Sequence, residues 1–221
     1  MNKAITNSFS MFIQLCIVLL ILTGCQSTYY KTMEVFGYHK RDLLVERVED
    51  ARDAQQDAKE QFQSALEKFS AVMDFRGGEL EKKYNDLKGE FESSESKAKA
   101  VRKQIRNVED VAEALFDEWE AELSQYTNDK LRRSSKLKFG QTRQRYSQLI
   151  EAMKRAESKI APVLSAFRDH VLFLKHNLNA QAIASLHDEL VSVETEIASL
   201  IKEMETSIAE TDAFITEMAK E

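Results

Sequence analysis

The chain has 221 residues with only one proline and six glycines, so little in it interrupts a helix. Charged residues of both signs make up 31% and the formal net charge is −6, which argues against disorder and against a broadly basic nucleic-acid-binding domain. Both cysteines, Cys16 and Cys25, lie near the N-terminus, so the body offers no disulfide, thiol nucleophile or cysteine metal site.

The N-terminus reads as an address. Residues Met11 to Leu22 are almost wholly apolar, and Lys3 stands upstream. The run falls short of the ~20 residues that span a bilayer and suits the core of a secretory signal. Leu22-Thr23-Gly24-Cys25 follows and resembles the bacterial lipobox, whose small residues fit the signal peptidase and whose cysteine takes a diacylglycerol. The expectation is a lipoprotein signal peptide over 1–24, an acylated Cys25 with a short linker over 25–28, and one helical domain over 29–221. An ordinary signal or weak anchor with an incidental cysteine is the blander alternative. Gln26 is not the aspartate that, by the enteric sorting rule, keeps lipoproteins at the inner membrane. The expected location is therefore the outer membrane, facing the periplasm.

Four segments follow, each with apolar residues at alternating steps of four and three. Such steps nearly match the ~3.6 residues of one turn and lay a narrow stripe along a helix, as in a coiled coil. The first segment, 29–75, carries Leu44, Val48, Ala51, Gln55, Ala58, Phe62, Ala65, Phe69 and Val72, and stops at Arg76-Gly77-Gly78. The second, 79–126, runs from Leu80 through Leu87, Phe91, Ala98, Val101, Ile105, Val108, Ala112 and Leu115 to Trp119, with Ser94 at one step. Thr127-Asn128-Asp129 suits the cap of a new helix. The third, 130–175, opens polar and basic and recovers its stripe from Tyr146 through Ile160 to Leu174. Pro162 removes one backbone donor from it and predicts a kink. His176-Asn177-Leu178-Asn179 makes the next turn, and the fourth segment, 180–219, carries an unbroken stripe from Ile183 to Met218. Tight turns between such segments predict an all-α, elongated antiparallel four-helix bundle or coiled coil, up-down-up-down, with helices roughly 60 to 70 Å long. Stripes this narrow equally suit two long hairpins, so a homo-oligomer built through the seams stays open.

Counting outward from the turns brings Ala58, Ser94, Ala98 and Ala156 to similar heights, which means either close helix approach or a hollow beside Pro162. The end away from the anchor collects Val171, Leu172, Phe173 and Leu174. One helical face cannot hold four consecutive residues, so some turn into neighbouring helices or outward to an envelope protein partner. The end near the anchor collects Lys130, Arg132, Arg133, Lys136, Lys138, Arg143 and Arg145, with Leu137 and Phe139 among them. This cluster suits contact with anionic lipid headgroups or another envelope polyanion, the two leucine and phenylalanine side chains dipping into the interface. Pairing with Glu118, Glu120 and Glu122 is the competing reading.

No phosphate loop, GxSxG or HExxH motif occurs. Of the four histidines, His170 and His176 fall on different helix faces, and His187-Asp188-Glu189 are adjacent and point apart. No histidine follows a glutamate by three residues, as di-iron bundles require. The expectation is no enzyme, no metal and no cofactor.

Gly37-Tyr38-His39-Lys40-Arg41-Asp42, Ala51-Arg52-Asp53-Ala54-Gln55 and Phe75-Arg76-Gly77-Gly78, with the long helical remainder, resemble the domain of unknown function 2959 family of bacterial envelope proteins. The likeness covers nearly all of the mature chain. The resemblance implies no activity. Some members bear labels related to DNA repair, but an envelope that holds no chromosome argues against nucleic acid as a partner. The expected function is a lipid-anchored coiled-coil envelope protein that tethers, spaces or scaffolds, held to the membrane through its N-terminal lipid. The alternative is a helical binding module or chaperone that carries an envelope ligand in a groove between helices, and a large apolar groove beside Ala98, Ala156 and Pro162 would favour it.

Overall fold

Each apolar stripe reappears as a buried row on its own helix. The computed structural model describes residues 39–73, 80–177 and 179–220. They form α1 (Lys40–Met73), α2 (Leu80–Leu123), α3 (Asp129–His176) and α4 (Ala180–Met218), with no strand among the described residues. Contacts divide the chain into Met1–Leu43 and Leu44–Glu221. The bundle is the second unit; of the first, only the start of α1 is described. Residues 29–38 and the Arg76-Gly77-Gly78 stop lie outside the described residues.

In α1 the row runs Leu44, Val48, Ala51, Gln55, Ala58, Phe62, Ala65, Phe69, Val72, and every member is buried. In α2 it runs from Leu87 to Phe116, in α3 from Leu149 to Leu174, and in α4 from Ile183 to Met218. A long solvated helix is marginal alone, so covering these rows is what holds the helices together. Cross-helix pairs show who covers whom. Lys97 meets Asp57 at 2.6 Å and Gln61 donates to the Glu90 carboxylate at 2.5 Å, joining α1 to α2. Arg102–Glu157 and Arg168–Glu95, each at 2.9 Å, join α2 to α3. Arg145–Glu217 at 3.4 Å joins α3 to α4. Arg52–Asp212 at 3.2 Å and Lys59–Glu205 at 3.7 Å return from α1 to α4 and close the ring. For α1–α2, α2–α3 and α1–α4 the partner number falls as the residue number rises, which makes each of these pairs antiparallel. Since α2 is antiparallel to both α1 and α3, α4 runs antiparallel to α3 as well. Exposed pairs such as these contribute only ~0–1 kcal/mol each, so they mark register more than they hold it.

Ala51, Ala58, Ala65, Ser94, Ala98, Ala152 and Ala156 are all buried, so the level of small residues is one of close approach. A hollow does exist beside Pro162, but on the outside. It is a cleft of about 240 Å³ between α2 and α3, lined by Glu95, Lys99, Arg102, Ala161, Leu164, Ser165 and Arg168. α3 runs as one helix through Pro162. Ala161 and Pro162 are exposed, so the carbonyl deprived of its donor lies on the solvent side, where water can serve it.

One layer of the core is polar. The pairs Arg52–Asp212 and Lys59–Glu205 bracket Gln55 on α1 and Ser207 and Thr211 on α4, placing these three at one height. All three are 0% exposed. Thr211 donates to the Ser207 carbonyl at 2.8 Å, but both amide atoms of Gln55 and the Ser207 hydroxyl have no hydrogen-bond partner among the described residues. Such a seam residue lowers stability and disfavours slipped registers that would set it against apolar neighbours. Further along, His170 is nearly buried and stacks obliquely on Phe69 with centroids 5.0 Å apart, while Phe69 meets Phe167 edge-on at 5.8 Å. Burial lowers the His170 pKa, and Glu189, Asp169 and Glu196 oppose that shift.

Two outcomes follow from these residues. Gln55→Leu keeps the volume and removes an unpaired amide worth ~1–3 kcal/mol, so the thermal midpoint should rise by roughly 3 to 8 °C in a calorimetric scan. For His170, the folded pKa lies below the ordinary 6.5, so the unfolded chain binds the proton first. Stability is then full above that value and declines as pH falls through it. In paired urea titrations from pH 7.5 to 5, His170→Phe should show a shallower decline than the parent.

Candidate functional site

The segment that opens α3 is built as the second arm of a hairpin with α2. Asn128 caps it in an extended conformation, its side-chain oxygen accepting from the amides of Lys130 at 2.9 Å and Leu131 at 3.2 Å. The Trp119 indole N–H donates to the Ser135 hydroxyl at 2.8 Å. Behind that bond lies an aromatic cluster. Phe139 meets Phe116 at 5.9 Å and Trp119 at 5.7 Å, both edge-on, and Phe116 meets Tyr146 at 5.4 Å. Burial, then the nearby Glu109, Glu113 and Asp110, pushes the Tyr146 hydroxyl up to about 12, so it stays protonated. Phe139 is therefore turned toward α2. The expectation that it dips into a membrane interface is corrected: the stripe it shares with Ser135, Thr142 and Tyr146 has a protein partner.

Arg145 faces Glu217, one residue before α4 ends at Met218. Residues 129–144 accordingly run past the end of α4, a stretch of roughly 20 to 25 Å at ~1.5 Å per residue. Within it only Thr142 is buried, with Ser135 and Phe139 half-buried. Between Lys130 and Ile150 there is no acidic residue and there are seven basic ones, whereas the rest of the chain carries 24 basic against 37 acidic groups.

The structure sorts these seven cations. Arg132 pairs with Asp129 at 2.5 Å on its own first turn. Arg145 pairs with Glu217, and Arg143 lies over the Phe139 ring at 5.8 Å. Among the described residues, Lys130, Arg133, Lys136 and Lys138 form no ion pair, and none reaches Glu120 or Glu122. Four solvated cations on one short stretch of α3 give its outer face a positive charge, with Asp117, Glu118, Glu120 and Glu122 on the α2 arm of the same hairpin, and near an anionic bilayer each cation is worth ~1 kcal/mol. Leu131 and Leu137 are 56% and 64% exposed beside them, with Tyr126 exposed at the turn. The sequence reading passed over Leu131 and Tyr126. The signal for Leu131 was available: it falls on the stripe of Ser135 and Thr142, one step beyond where that stripe has anything to cover it.

At the other end of α3 the four apolar residues divide. Val171 and Leu174 are core, while Leu172 and Phe173 are 52% and 39% exposed, so a partner there would meet only the latter two. Cys25 and the lipobox-like segment lie outside the described residues, as do the side chains of His187 and Asp188. Among the described residues no three His, Cys, Asp or Glu side chains converge as a metal site would need, and no helix is long and apolar enough to cross a membrane.

A family model described as protein of unknown function (DUF2959) matches residues 29–218. No curated protein matches the chain.

The aromatic cluster has a built-in reporter, because Trp119 is the only tryptophan. Phe139→Ala removes a half-buried ring and part of the ~3–5 kcal/mol that a fully buried phenylalanine is worth. Trp119 emission should shift to longer wavelength and the tip should melt before the remaining helix, seen as fluorescence loss preceding the circular dichroism transition.

Proposed function

The chain belongs to the DUF2959 family, whose function is unknown, and from that premise we propose that it is a non-catalytic lipoprotein of the bacterial envelope that tethers or spaces envelope components. An apolar run of signal length followed by Leu22-Thr23-Gly24-Cys25 supports acylation at Cys25 and export. Acyl chains of a mature lipoprotein give durable attachment where a single chain is marginal. Gln26 favours the outer membrane over retention at the inner one.

The observation that carries the tethering reading is where the free surface lies. The four stripes are spent on one another along the bundle, and the unpaired cations with Leu131 and Leu137 stand on the hairpin tip beyond α4. Contact surface concentrated at an end suits joining one thing to another. The carrier reading asks for an apolar groove beside Ala98, Ala156 and Pro162. Those alanines are buried, and the cleft there is lined by Glu95, Lys99, Arg102 and Arg168. Ligand sites for apolar cargo are mostly apolar, so this cleft does not favour that reading.

Cells fed radiolabelled palmitate should incorporate label into the parent and lose it in Cys25→Ser, with the protein moving from the membrane fraction or remaining as unprocessed precursor. Label retained in Cys25→Ser would end the proposal. In-cell photocrosslinking from Leu131 and Phe173 should capture discrete envelope components.

A further inference from the structure

We propose that the outer face of residues 130–144 in α3 docks along an anionic phospholipid surface, with Leu137 entering the headgroup region between flanking cations. The inference rests on the envelope reading, since such a bilayer must be within reach, but not on acylation of Cys25.

Successive residues of a helix turn by ~100°, so steps of three and four share a face. Ser135, Phe139, Thr142 and Tyr146 form the stripe that meets α2, as the Trp119–Ser135 bond and the Phe116–Phe139 contact show. On the opposite side Lys130, Arg133 and Leu137 form one stripe, flanked by Lys138 on one side and on the other by Lys136, which with Arg132 and Arg143 lies between it and the face that meets α2. Leu137 thus lies inside a cationic arc and not at its edge. Gly140 falls in the same arc, and among the described residues a Cβ added there would meet nothing within 4 Å.

A lone exposed leucine means little, and a lone basic run means only attraction to polyanions. Their combination chooses the occupant. A soluble polyanion would meet the cations and leave Leu137 in water. A bilayer surface takes both, phosphates pairing with Lys130, Arg133 and Lys136 while the isobutyl group sinks below them, which is how interfacial helices bind. The charge match is specific to this stretch, because the remainder of the chain is acidic and would be repelled. The hairpin's projection past α4 means that α4 does not stand beside this face.

The test uses the full chain with Cys16→Ser and Cys25→Ser, so that one new cysteine, Leu137→Cys, carries an environment-sensitive fluorophore. It is reconstituted in vesicles of phosphatidylcholine alone or in equal parts with phosphatidylglycerol. The expected result is a blue shift, and quenching by nitroxide-labelled lipid, in the mixed vesicles only. Both should weaken as salt is raised and vanish with Arg133→Glu/Lys136→Glu. The same label at Val191→Cys on α4, itself 67% exposed, should not respond. If charge reversal lowers helix content by circular dichroism, Arg133→Gln/Lys136→Gln provides the same comparison. Identical spectra in the two vesicle types would overturn the proposal. So would protection of Leu137→Cys by polyphosphate or duplex DNA with none by phosphatidylglycerol, which would assign the face to a soluble polyanion. Because Cys25 is absent throughout, a negative result here leaves the palmitate experiment to judge the anchor separately.

Discussion

A stripe two positions wide in every seven cannot keep itself dry, and the bundle exists because four such stripes cover one another. No single pair would suffice. α1 packs between α2 and α4, α3 packs between the same two, and the family-like block Ala51-Arg52-Asp53-Ala54-Gln55 lies where α1 meets α4. Ala51 and Gln55 of that block face the core, while Arg52 reaches Asp212 across the seam. Ring closure is therefore served by the same few residues that build the stripe. Small side chains at Ala58, Ala98 and Ala156 let the helices close up, and the dispersion gained by close packing replaces what larger side chains would have supplied.

The same rule explains what is left over. A helix that outruns its partners loses cover for its stripe, and α3 outruns α4 by the length of its basic opening. Two responses to that loss are visible. Phe116, Trp119, Phe139 and Tyr146 gather into an aromatic cluster that lets α2 and α3 shelter each other past the end of α4. Leu131, one step further, has no such help and stays exposed. The charges obey a parallel logic. Within the bundle some cations find carboxylates on an adjoining helix, as Arg102 and Arg168 do, but past the end of α4 Lys130, Arg133, Lys136 and Lys138 have no ion pair among the described residues. The arm owes its positive charge to its own sequence, and its extension past α4 keeps the α4 carboxylates away from it.

Polarity inside the core follows a different rule. Ser94 and Thr211 return their hydroxyl protons to the carbonyl four residues back, which costs the helix little. Gln55 is too long for that and has no partner among the described residues, so it weakens the bundle in exchange for making one register better than its neighbours. The Pro162 region makes the complementary point on the surface. Of the two arrangements that counting small residues allowed, close approach holds in the core, where Ala98 and Ala156 use their smallness for contact, and the cleft between α2 and α3 lies outside it among charged residues.

What the chain's order alone determined is everything with a period or a cap: four helices, the rows they bury, the start of α3 behind Asn128, and the lack of any acid between Lys130 and Ile150. Those properties are local, since a helix repeats every ~3.6 residues whatever lies beside it. The tertiary structure alone decided that Phe139 serves an aromatic cluster, that α4 pairs with α1, and which cations go without carboxylates. Each of these depends on how far one helix extends past the next, and an offset between helices is a distance through space that spacing along one helix does not contain.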